Sequence, residues 1–162
     1  GLITFGHKIH AHLPATRRRT QMQRILETLY AQKTHFLETD YQVLLYEVRQ
    51  QLTQRSLLLI YTNWENLQSM QRNLPYLRSM AKNHLLVIII FKNTPLFELT
   101  EDRPDSTEDI YIKTIAEKLI IEKQRITQEL NAHGIQTILT APEHLTVNTL
   151  NRYLEFKSRG MI

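Results

Sequence analysis

No cysteine occurs among the 162 residues, which excludes disulfides, thiolate metal sites and cysteine nucleophiles. Glycine is nearly as scarce, with four in the chain. They form neither G-x-G-x-x-G nor G-x-x-x-x-G-K, so backbone cradling of a nucleotide phosphate is not expected. Long apolar runs are missing too: the longest, Leu85–Phe91, falls far short of the ~20 residues that span a bilayer. Neither sign of charge dominates. Lys+Arg number 20 against 16 Asp+Glu, a net charge of +4, and dedicated nucleic-acid binders cluster their basic residues on one face. No serine sits in a G-x-S-x-G elbow, so hydrolytic apparatus is not expected.

What is present is an ordinary globular composition, 42% hydrophobic and 22% charged, of a length that suits one domain. Three short apolar runs, Leu57–Tyr61, Leu85–Phe91 and Ile135–Leu139, read as strands covered on both faces. Amphipathic segments between them predict helices, and hence a parallel sheet with crossover connections. The opening differs. Leu2–Phe5 is strand-like, and Ile9, Ala11 and Leu13 alternate with Lys8, His10 and His12, the pattern of a half-exposed edge strand.

The first helical stripe is Met22, Ile25, Leu26, Leu29 and Tyr30, with Thr20–Gln23 as its capping box. The second is Tyr41, Leu44, Leu45, Val48 and Leu52, opened by Thr39-Asp40. A third runs through Leu67, Met70, Leu74 and Leu77, where Pro75 is expected to kink or break it. Asn93–Ser106 reads as a mobile crossover loop. Ser106 or Thr107 then caps a long helix that Gly134 ends, and a last helix spans about Thr146 to Arg159 with Gly160 closing it.

In open α/β sheets ligands sit at the carboxyl ends of the strands, here Thr62-Asn63, Lys92-Asn93-Thr94 and Thr140-Ala141-Pro142. None of these carries a carboxylate. His7, His10 and His12 invite a metal, but a third converging ligand is not evident and a solvated strand face is the expected role. His35, His84, His133 and His144 are scattered and read as caps or surface residues. Arg17-Arg18-Arg19 is the only basic run. Cations at a helix entrance oppose its dipole, so the three are candidate contacts for an acidic partner surface, against the plainer reading of a solvated face. Trp64, the sole tryptophan, is expected to pack over the sheet edge, with an exposed interface anchor as the alternative.

Several segments resemble one known family. Phe5-Gly6-His7-Lys8-Ile9 with Leu13-Pro14, Thr39-Asp40-Tyr41, Leu57–Asn63 and, most specifically, the tail Leu150–Gly160 are similar to the C-terminal part of a bacterial family of unknown function with a von Willebrand factor A-like domain. Its members are often membrane-anchored and encoded beside MoxR-type AAA+ ATPases. The resemblance implies a Rossmann-like three-layer α/β sandwich, mostly parallel with an antiparallel edge strand. It implies Mg²⁺ binding through D-x-S-x-S, a threonine and an aspartate. Thr39 (or Asp40) matches the threonine and Asn63 stands where the aspartate lies. No D-x-S-x-S occurs here, and the strand that bears it is expected before Gly1, in a longer parent protein.

The expectation is therefore a non-catalytic protein-interaction module without a bound metal, partnered by another protein such as a MoxR-type ATPase or by a second copy. Asn63, Trp64, Arg17, Arg18 and Arg19 are its candidate contacts. The resemblance places the parent at the cytoplasmic face of a membrane, with no membrane contact by this segment. The competing class is an anion- or nucleic-acid-binding domain using Arg17–Arg19, Lys8 and the basic C-terminal residues. For want of the first strand, the Leu2–Phe5 and Leu57–Tyr61 strands are expected to pair directly, or the chain to dimerise.

Overall fold

The computed structural model describes residues 1–33, 38–101 and 106–161; His35 lies outside them. It is an α/β structure with a three-stranded parallel sheet and a two-stranded antiparallel sheet, an arrangement compatible with a Rossmann-like fold. The chain divides into two compact units, Gly1–Thr53 and Gln54–Ile162.

In the first unit, β1 (Leu2–Phe5) and β2 (Ile9–Leu13) form an antiparallel hairpin with Leu2 opposite Leu13 and a bulge at Thr4/Phe5. The Gly6 N–H donates to the Lys8 carbonyl and closes the turn. Two helices follow, α1 (Gln21–Tyr30) and α2 (Tyr41–Gln51). Asp40 caps α2 by accepting from the N–H groups of Gln42 and Val43. That helix buries Tyr41, Leu44 and Val48, and Tyr41 meets Phe5 edge-to-face at 5.4 Å.

The first helix departs from expectation. Thr20 is in helical geometry and makes no side-chain cap, so the capping box is not formed. Its apolar stripe faces solvent: Met22 is 66% and Tyr30 89% exposed, with Leu26 and Leu29 also exposed. The helix turns Gln21, Ile25 and Thr28 inward instead. The Gln21 amide donates to the Pro14 carbonyl at 2.9 Å.

In the second unit, β3 (Leu57–Thr62), β4 (Leu85–Phe91) and β5 (Gln136–Thr140) lie parallel in that order. Leu57 pairs with Leu85, and Val87 with Gln136. The central strand is apolar because both its faces are covered. On one face Leu85, Val87 and Ile89 cluster with Ile138 and Phe156. The alternate residues Leu86, Ile88 and Ile90, equally buried, point the other way. There α3 (Leu67–Ala81) and α5 (Thr107–Ala132) pack on one another and on the strands. The last helix, α6 (Leu145–Ser158), brings Phe156 to the first face.

Direct pairing of the Leu2–Phe5 and Leu57–Tyr61 strands is not formed: β1 pairs with β2, and β3 with β4. A three-residue connection makes the local hairpin far cheaper to close than a distant pairing. The antiparallel strand is accordingly part of a separate sheet rather than an edge of the parallel one. Pro75 does not break α3. It lies on the exposed face with Gln71, so the carbonyl it leaves unbonded is on the solvent side, while Met70, Leu74, Leu77 and Met80 remain buried. Within the segment expected to be a loop, Thr94–Glu101 is a helix, α4. Pro95 occupies its first turn, where a missing N–H is costless, and Asn93 accepts from Leu96 and Phe97. Residues 102–105 of that segment lie outside the described ones.

Ser106 and Asp109 form a reciprocal capping box on α5. At its far end Gly134 has φ +75°, and the Ile135 N–H returns to the Leu130 carbonyl, the left-handed ending that the sequence predicts. Among the described residues no helix is long and apolar enough to cross a membrane.

Candidate functional site

The carboxyl ends of the three parallel strands open into a cavity of about 350 Å³. Its walls are apolar: Phe91 and Leu139 from the strands, Leu96 and Phe97 from α4, Leu119 and Ile120 from α5. Asn63, Glu65, Lys92, Asn93, Lys123 and Gln124 add the polar groups. The position follows from the topology, because parallel strands end together and the crossover chains diverge from that edge.

The turn after β3 is held from α5. The Lys123 ammonium donates to Asn63 Oδ1 and to the Trp64 carbonyl. One residue earlier, Glu122 accepts from the Leu67 N–H at 3.1 Å, and Asn66 caps α3 through the Ser69 N–H. Burial pulls Lys123 below the usual lysine pKa, and the nearby Glu65 carboxylate offsets part of that. Lys92, just beyond β4, has its ammonium 5.6 Å from the centre of the Phe97 ring, while its backbone N–H donates to the Thr140 carbonyl. The strand tips and α4 are thereby tied into one rim.

Of the residues singled out by sequence, Asn63 lines this cavity, with its side-chain oxygen engaged by Lys123. Trp64 is 6% exposed and takes the packing role rather than that of an exposed anchor. Arg17, Arg18 and Arg19 are all exposed, just ahead of α1. Thr39 is half-buried, and Asp40 spends its carboxylate on the α2 cap.

The Lys123 ammonium donates to the Asn63 oxygen, and two helix N–H groups donate to Asp40 Oδ1. Among the described residues no three His, Asp or Glu side chains are grouped to hold a metal. In the histidine cluster His12 pairs with Glu47 at 3.0 Å, and the His7 and His10 rings meet edge-to-face at 5.7 Å.

Lys123 and Glu65 are the residues that sequence reasoning missed. Lys123 interrupts the apolar stripe of α5, four residues after Leu119 and three before Ile126. A cation at a core-facing position is the signal that was there to be found. Comparisons with protein-family models, curated proteins and solved structures found no match.

Proposed function

We propose that this chain is a non-catalytic protein-interaction module that docks through α1 and the arginines ahead of it. The observation that carries the reading is the outward apolar stripe of Met22, Leu26, Leu29 and Tyr30. These residues recur at helical spacing, as buried stripes do, yet they stand in solvent. Large contiguous exposed apolar patches mark interaction sites. Exposed Arg17, Arg18 and Arg19 add positive charge at one end of the stripe. The partner that fits is a protein with an apolar groove bordered by acidic side chains.

The resemblance of the tail and strand segments extends this proposal to a von Willebrand factor A-like domain in a membrane-anchored parent, acting with a MoxR-type ATPase. The test is capture of such an ATPase by the chain, with Leu26→Asp and an Arg17/Arg18/Arg19→Ala triple variant as probes. Loss of capture with Leu26→Asp, at unchanged circular dichroism, supports the reading. Capture indifferent to both variants overturns it. A shift from dimer to monomer on Leu26→Asp in sedimentation velocity would identify a second copy as the occupant of α1. Salt-sensitive binding to DNA that the triple variant removes would favour the nucleic-acid alternative.

A further inference from the structure

We infer that the cavity at the carboxyl ends of β3, β4 and β5 is a binding site for a small apolar molecule carrying one carboxylate. The inference is independent of the α1 reading, since it rests on other residues. Three observations converge on it. The volume of about 350 Å³ falls within the range of about 300–1,000 Å³ usual for small-molecule sites. The walls, Phe91, Leu96, Phe97 and Leu139 among them, are aromatic and aliphatic, which suits a hydrocarbon body. The site also lies at the sheet edge where parallel α/β folds place their ligands.

The sign of the ligand follows from the charges. Among the described residues the lining holds two cations, Lys92 and Lys123, and one anion, Glu65, for a net 2 − 1 = +1. An ammonium has three N–H donors. Lys123 directs two of them to the neutral acceptors Asn63 Oδ1 and the Trp64 carbonyl, which leaves one proton to donate. Those two fixed acceptors also hold the ammonium in place, so an incoming carboxylate meets a donor that needs no further ordering. Burial disfavours the charged form of this lysine and Glu65 offsets only part of that, so a second carboxylate beside it would relieve more of the penalty. A bound amine would find one carboxylate against two ammoniums.

The sole tryptophan, Trp64, belongs to the turn that Lys123 holds, so its fluorescence is a built-in reporter. The experiment titrates the full 162-residue chain with octanoate, octanol and octylamine, following Trp64 emission and amide shifts in nitrogen-edited spectra. Octanoate should saturate one site, with shifts confined to residues 63–65, 91–97 and 119–124. Octanol and octylamine should bind about tenfold more weakly or worse, given the strength of charge-assisted hydrogen bonds. Lys92→Met or Lys123→Met should weaken octanoate by a similar factor. Leu119→Trp, read by amide shifts alone because it adds a second tryptophan, should abolish binding by filling the cavity from a partly exposed wall position, and decides the matter if Lys123→Met does not fold. Equal binding of octanol and octanoate, shifts centred on α1 or α6, or an unchanged titration in Leu119→Trp would each overturn the assignment, as would no saturation at all.

Discussion

Replacing Phe156 with alanine removes the one side chain of α6 that is fully buried among the described residues. The ring is 2% exposed and belongs to one cluster with Leu85, Val87, Ile89 and Ile138 of β4 and β5. Phe→Ala changes at such positions cost about 3–5 kcal/mol. The Arg152 guanidinium, 5.2 Å from the ring centre, contributes about 0.5–1 kcal/mol of that through its cation–π contact. Total stabilities run at about 5–15 kcal/mol, so the loss would be roughly a fifth of the total or more.

The structure also says where the loss will show. Leu145 and Met161 are only partly buried against the same cluster, while Val147, Leu150 and Leu154 face solvent. The helix therefore has little other apolar contact, its remaining ties to β5 being hydrogen bonds from Asn148 to Thr140 and from Arg152 to Gln136, and undocking of α6 should precede loss of the sheet. Phe156→Leu keeps most of the apolar contact and should cost about 1–2 kcal/mol. Urea unfolding followed by circular dichroism gives the total. Hydrogen exchange of the α6 amides gives the local opening. If Phe156→Ala shifts stability by under about 1 kcal/mol, or α6 exchanges no faster than in Phe156→Leu, the single-anchor reasoning is wrong.

Gly134→Ala isolates backbone strain, because φ is +75° and no atom lies within 4 Å of the added Cβ. A loss of about 1–2 kcal/mol is expected, with Gly134→Asn recovering part of it since asparagine tolerates this region; equal stability of the alanine and glycine forms in urea would refute it. His84 gives a pH test. Burial holds its imidazole below the usual pKa, and its Nδ1 accepts from the Ser56 N–H at 3.3 Å, a bond that Nδ1 cannot accept once protonated. The unfolded chain takes up a proton near pH 6.5 that the folded chain resists. The stability from His84 is thus complete above pH 6.5 and lost as pH falls through the lower folded value. Urea midpoints should drop between pH 7 and 5, and the drop should shrink in His84→Gln; parallel curves for the two proteins would count against the assignment.

Much of the parallel sheet was legible because its signals are local and redundant. The run Leu85–Phe91 can be only a doubly covered strand or a short buried helix, and the glycine at 134 and the cap at Ser106 bracket the helix before β5. The site's location was legible for the same reason: strand ends follow from strand identities. Its chemistry was not, because Lys123 comes from a helix 60 residues after Asn63, and no local pattern pairs the two. The rotation of α1 was misread for a different reason. Periodicity identifies an apolar face but not what covers it, and here the face that turns inward carries Gln21. Pro95 and Pro75 show the same limit. Pro75 reads as a helix breaker and Pro95 falls in an expected loop, yet Pro95 sits in a first turn and Pro75 on a solvent face, positions that only the folded backbone reveals.

The parallel order of β3, β4 and β5 governs how the chain reaches its fold as well as how it rests there. The register joins residues 28 apart between Leu57 and Leu85, and 49 apart between Val87 and Gln136. Such separations slow folding, because the loop must close before any contact repays it. On a ribosome adding about 5–20 residues per second, Gln136 is made roughly 2 to 10 s after Val87. Throughout that interval Leu85–Phe91, seven apolar residues without a charge, has at most one flank sealed. This is the composition that templates intermolecular β-pairing, so the most deeply buried strand of the finished protein is also its greatest hazard while the protein is being made.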